Sequence, residues 1–101
     1  MGPLGGLSRS IEGKVAIVTG AASGMGRATA HLFSDEGAAV ALCDVNQSGL
    51  EKTFHEIQDS GGTAEKYVLD LQGREAASKL VEQVRADLGP IDILVNNAGI
   101  S

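Results

Sequence analysis

Gly20, Gly24 and Gly26 stand in the stretch IVTGAASGMGRATA, residues 17–30. An apolar run stops at the first glycine, and helical spacing begins at the second. The chemistry this pattern suits is the holding of an anion. A helix start leaves backbone N–H groups unpaired and carries the positive end of the helix dipole. A phosphate satisfies both. Gly20 permits the tight turn, Gly24 lets the backbone approach the phosphates, and Gly26 lets the helix pack close to the sheet. A glycine turn can also be a purely structural device. The reading sharpens at Asp44, the acid that ends the next apolar run. A carboxylate there receives the two hydroxyls of an adenosine ribose and repels a 2′-phosphate. Ser23, Val45 and Asn46 occupy positions where a Lys or Arg would hold that phosphate, so the site favours NAD over NADP. No Lys-Ser or Lys-Thr follows the glycines, which excludes a kinase-type P-loop.

Other residues of reactive type carry less. Cys43 is the only cysteine, which rules out an internal disulfide and suits a reducing, cytoplasmic compartment. It ends an apolar run and reads as a small buried hydrophobe. His31 and His55 fall in helical patterns without a Cys, Asp or Glu at ligand spacing, so both read as helix-surface or boundary residues. The carboxylates of the later helices alternate with Lys and Arg, as solvated helix faces do.

Short apolar runs alternate with helical patterns along the chain. The runs are 15–18, 38–44, 64–70 and 91–95, and the helical stretches are 24–36, 48–60 and 74–88. Gly37, Gly61-Gly62 and Gly89-Pro90 end the helices. Ala28, Leu32 and Phe33 share one face of the first helix. Leu50, Phe54 and Ile57 share one face of the second, and Ala77, Leu80, Val81 and Val84 one face of the third. Helices between short strands are crossover connections, so the strands are parallel and covered on both faces. Right-handed crossovers give the spatial order 3-2-1-4 of a doubly wound sheet.

Here the sequence resembles a known family. Thr19-Gly20-Ala21-Ala22-Ser23-Gly24-Met25-Gly26 has the Thr-Gly-x-x-x-Gly-x-Gly spacing of the short-chain dehydrogenase/reductases. Asn96-Asn97-Ala98-Gly99 is similar to that family's Asn-Asn-Ala-Gly motif, and Asp70 matches its acid beside the adenine. The likeness runs from about Glu12 to Ser101. It implies an α/β fold of Rossmann type and hydride transfer between NAD(H) and an alcohol or ketone. It also implies roles. Gly20, Ser23, Gly24, Met25 and Gly26 would line the pyrophosphate and adenosine ribose, and Asp44 would bind the ribose hydroxyls. Asp70 and Leu71 would flank the adenine, while Asn97, Ala98 and Gly99 would pass the nicotinamide side. Asn96 would brace the sheet through neighbouring backbone, and Thr19 the glycine turn. The parent enzyme would be an oligomer.

The family's catalytic serine and Tyr-x-x-x-Lys pair lie beyond the fourth strand, and this sequence holds no such segment. Its one tyrosine, Tyr67, is followed four residues later by Leu71, and reads as a strand-surface residue. The expectation is therefore a cofactor-binding domain over 12–101, truncated after the fourth strand, behind a flexible tail at 1–11. On its own it would not turn substrate over. A rival is a stand-alone nucleotide-binding or partner-docking module. The fourth strand would then present an exposed apolar edge to a partner. Composition narrows the field. The net charge of −5 argues against nucleic acid as a partner, and no apolar window is long enough to span a membrane. One Tyr, two Phe and no Trp leave the core to Val, Leu, Ile and Ala.

Overall fold

The computed structural model describes residues 11–97. The expected tail lies outside this range save for Ile11, as do Ala98 and Gly99. Four strands, β1 (Val15–Thr19), β2 (Ala39–Asp44), β3 (Ala64–Val68) and β4 (Ile93–Asn96), alternate with three helices. These are α1 (Gly24–Asp35), α2 (Gln47–Asp59) and α3 (Arg74–Leu88). All strand pairs are parallel, and the order is β3-β2-β1-β4. This is the doubly wound α/β arrangement anticipated from the alternation of runs.

Side-chain alternation divides the core in two. Ala16, Val18, Val40 and Leu42 face Ala30 of α1 and Leu50 and Ile57 of α2. Val15, Ile17, Ala41, Cys43 and Tyr67 face Leu80 and Val84 of α3. Every residue of β1 is buried, because it lies between two strands and under two helix layers. At its start, Asp92 accepts the Val15 N–H on Oδ2 at 2.9 Å, and its own N–H donates to the Val15 carbonyl at 2.9 Å. That side-chain bond takes the place of ladder pairing, so β4 begins at Ile93 rather than at 91. β3 stops at Val68 rather than at 70. Leu69 N–H makes a last bond to Asp44, and then the Asp70 carboxylate takes the Gln72 N–H and the chain turns away.

Two helix faces and one strand residue differ from the sequence reading. In α1, Gly26 and Ala30 are buried while Ala28 and Leu32 are exposed. The contact of Gly26 with the turn below sets the roll of the helix, and positions 26, 30 and 33 then point inward. In α3, Ala77 and Val81 are exposed and only Leu80 and Val84 are buried. Tyr67 is a core residue, 8% exposed, and its hydroxyl donates to Asp87 Oδ2 at 2.8 Å. Burial, and then the Asp87 carboxylate, push its phenol well above the ordinary tyrosine range.

Candidate functional site

The turn from β1 into α1 lies at the C-terminal end of the sheet, where a doubly wound fold leaves a crevice. Gly20 and Gly24 have φ of +66° and +58°, which only glycine adopts without strain. Gly26 does something else. A Cβ there would lie 2.0 Å from the Gly20 carbonyl oxygen, so the first turn of α1 rests directly on the loop.

The two neighbouring helix starts contrast. At α2, Asn46 Oδ1 accepts the Gly49 N–H at 3.0 Å. At α1, Ser23 is extended, its side chain caps nothing, and no acid lies in the first turn. The α1 amides are thus free of side-chain competition in an exposed loop where Ser23, Gly24 and Met25 face solvent. This fits an external anion.

Asp44 stands beside the loop. Its Oδ2 accepts the Ala22 N–H at 3.0 Å and its Oδ1 the Asn46 N–H at 3.0 Å. These bonds fix the carboxylate's orientation and leave each oxygen a lone pair, which suits a diol. The preceding residue, Cys43, is 1% exposed, and burial followed by the Asp44 charge pushes its thiol up to about 11. It is inert packing, as its position suggested.

Asn96 has a side-chain partner, Thr19, where a backbone one was expected. The Thr19 hydroxyl donates to Asn96 Oδ1 at 2.9 Å and accepts the Asn97 N–H at 3.0 Å. Asn96 therefore braces β4 through the Thr19 side chain, and Thr19 ties β1 to β4. The Asn97 Nδ2 is buried with no hydrogen-bond partner among the described residues, an orphaned donor at the same end of the sheet. Leu71 and Asn96 line one apolar cavity of about 420 Å³ with Thr19, Leu80 and Leu94. Asp70 is exposed beyond β3. The structure thus gathers the glycines and Asp44 at one point, and Leu71 with Asn96 and Thr19 at another.

Sequence reasoning passed over two groups. Thr53 is fully buried in α2, and its hydroxyl donates to the Ala21 carbonyl at 2.9 Å. Gly49, one turn earlier, was the available signal, since glycine inside a helix costs about 1 kcal/mol relative to alanine and so marks a close approach. Glu56 of α2 takes Arg27 Nε on Oε1 at 3.0 Å, a second Arg27 N–H on Oε2, and His31 Nε2 at 2.8 Å. Those bonds, Arg27's first, hold its carboxyl below the ordinary value.

Sheet order and crossovers define an α/β protein of the doubly wound class. The family model described as short chain dehydrogenase matches residues 14–101, and the chain belongs to that family, whose members use nicotinamide dinucleotides. The 3-oxoacyl-acyl-carrier-protein reductase FabG of Thermotoga maritima is 44% identical over 91 residues, covering 90% of this chain and 37% of its own. The citronellol catabolism dehydrogenase of Pseudomonas aeruginosa superposes with a TM-score of 0.84 at 43% identity, over 90% of this chain and 38% of that one. An NAD⁺-bound xylitol dehydrogenase gives 0.84 at 44%, over 88% and 34%. The chain therefore spans little more than a third of the length of these relatives.

Proposed function

We propose that this chain is the NAD-binding portion of a short-chain dehydrogenase/reductase. The observation that carries the reading is the uncapped N-terminus of α1 beside an Asp44 whose carboxylate is already oriented by backbone. Gly20, Ser23, Gly24, Met25 and Gly26 line the pyrophosphate and adenosine ribose, and Asp44 binds the ribose hydroxyls. Asp70 and Leu71 flank the adenine, and Asn97, Ala98 and Gly99 run along the nicotinamide side. Bound NAD(H) supplies the hydride acceptor or donor. In the parent enzyme the other reactant is a small alcohol or ketone and the assembly is an oligomer. Cys43, buried and with no second cysteine in the sequence, supports a cytoplasmic setting; among the described residues no helix is long and apolar enough to cross a membrane. Tyr67 is enclosed against α3 and bonded to Asp87, so the 101 residues carry cofactor without turning substrate over.

Titration calorimetry of the 101-residue chain with NAD⁺ and NADP⁺ tests this. NAD⁺ binds at least tenfold tighter, because a 2′-phosphate meets the Asp44 charge. Asp44→Ala lowers NAD⁺ affinity by about 10- to 100-fold, the worth of hydrogen bonds to a charged group. Binding of neither dinucleotide, or tighter binding of NADP⁺, refutes the reading. NADH formation by the pure chain from any alcohol refutes the claim that it is inactive.

A further inference from the structure

The Ala21–Ala22 peptide is held at both ends. Its N–H, on Ala22, donates to Asp44 Oδ2 at 3.0 Å. Its carbonyl, on Ala21, accepts the Thr53 hydroxyl at 2.9 Å. The peptide before it is fixed as well, by Ala21 N–H to the Cys43 carbonyl at 3.1 Å. Thr53 is fully buried, and its other acceptor, the Gly49 carbonyl one turn back, is farther at 3.3 Å. The single hydroxyl proton therefore serves Ala21. Helix α2 comes this near because Gly49 lacks a side chain. A Cβ on Gly49 would stand 3.0 Å from the Ala22 Cβ and 3.1 Å from its carbonyl oxygen.

We propose that Thr53, seated by Gly49, is a positioning residue for the dinucleotide: its hydroxyl fixes the orientation of the Ala21–Ala22 peptide and so presets the phosphate loop. The inference rests on the cofactor reading above. If that peptide turns over, its carbonyl oxygen points at the Asp44 carboxylate and Asp44 loses the N–H that orients it. A negative dipole then occupies the place meant for a ribose diol. The hydrogen bond from Thr53 disfavours this arrangement before any ligand arrives, which is preorganisation in the ordinary sense. Thr53 touches no cofactor and acts only through the backbone of the loop.

Two variants separate the hydroxyl from the volume. Thr53→Val keeps the shape and removes the donor; Thr53→Ser keeps the donor. Amide exchange of the unliganded chain and calorimetry with ADP-ribose are the readouts. In Thr53→Val the Ala22 amide exchanges about tenfold faster, while amides of Val18 and Leu42 in the sheet keep wild-type rates. ADP-ribose affinity falls about tenfold, the value of one such bond. Thr53→Ser matches wild type in both. Gly49→Ala guards against a valine variant that does not fold. It favours the helix, yet it displaces α2 from the loop and weakens ADP-ribose binding in the same direction. Wild-type affinity in Thr53→Val, or in Gly49→Ala should the valine variant not fold, overturns the proposal. Faster exchange across the whole sheet in Thr53→Val also overturns it, since Thr53 is then only core packing. If the wild-type chain itself binds no ADP-ribose, the cofactor reading fails and takes the proposal with it. If wild type binds and Thr53→Val binds equally, the proposal fails by itself.

Discussion

At the scale of single residues, one contact of the loop, that of Gly26 on Gly20, leaves no room for a methyl group. Gly26→Ala forces a Cβ against the Gly20 carbonyl at 2.0 Å, and because the clash is with backbone the helix start must move. Urea unfolding will show a loss of about 1–3 kcal/mol, and ADP-ribose binding will be abolished. Cys43 makes a different prediction. Burial, and then the Asp44 charge, push its thiol from the ordinary 9.0 up to about 11 in the folded chain. A raised folded value means that the contribution is complete below about pH 9 and is lost as pH rises toward 11. Chemical denaturation across that window will show falling stability in wild type and a shallower fall in Cys43→Ala. At neutral pH a thiol reagent will label the chain only as fast as it opens.

At the scale of elements, α1 and α2 are joined by the half-buried Glu56, which takes both Arg27 and His31. The Glu56 carboxyl is held below its ordinary value of 4.5, chiefly by Arg27. A lowered folded value gives stability that is present above about pH 4.5 and disappears as pH falls through the lower folded value. Thermal melts at descending pH will therefore show a steeper acid loss in wild type than in Glu56→Gln, with Gln lower at neutral pH. Much at this scale was legible. Apolar runs between helical patterns fixed the order of elements, and the bounds of α3 match residue for residue. The roll of α1 was not legible. Periodicity pairs Ala28 with Leu32, but the decisive contact is Gly26 on Gly20, which has no apolar side chain to register. Thr53 itself was silent, and only Gly49, a glycine inside a helix, marked the close approach. A threonine in a helix does not announce a carbonyl 32 residues away, and Tyr67 gave no sign in sequence of the Asp87 that lets it be buried.

At the scale of the whole molecule, the two sides of the sheet are unequally covered. α3 stands over β1–β3, and beyond it Leu94 is 65% exposed beside Val81 at 40%, at the mouth of the cavity that Leu71 also lines. Among the described residues nothing pairs with the outer edge of β4. An apolar edge of this kind invites association. The 101-residue chain will form concentration-dependent oligomers by light scattering, and Leu94→Lys will hold it monomeric while changing unfolding free energy by no more than about 0.5 kcal/mol. The strand order has a temporal side. β1 is made first, yet its bond to Asp92 joins groups 77 positions apart. At about 5–20 residues per second, a ribosome takes roughly 4 to 15 s to bring that partner out. Throughout that interval β1 can close only against β2, so the nascent sheet grows toward β3 first. Its other flank stays open to chaperones until β4 emerges.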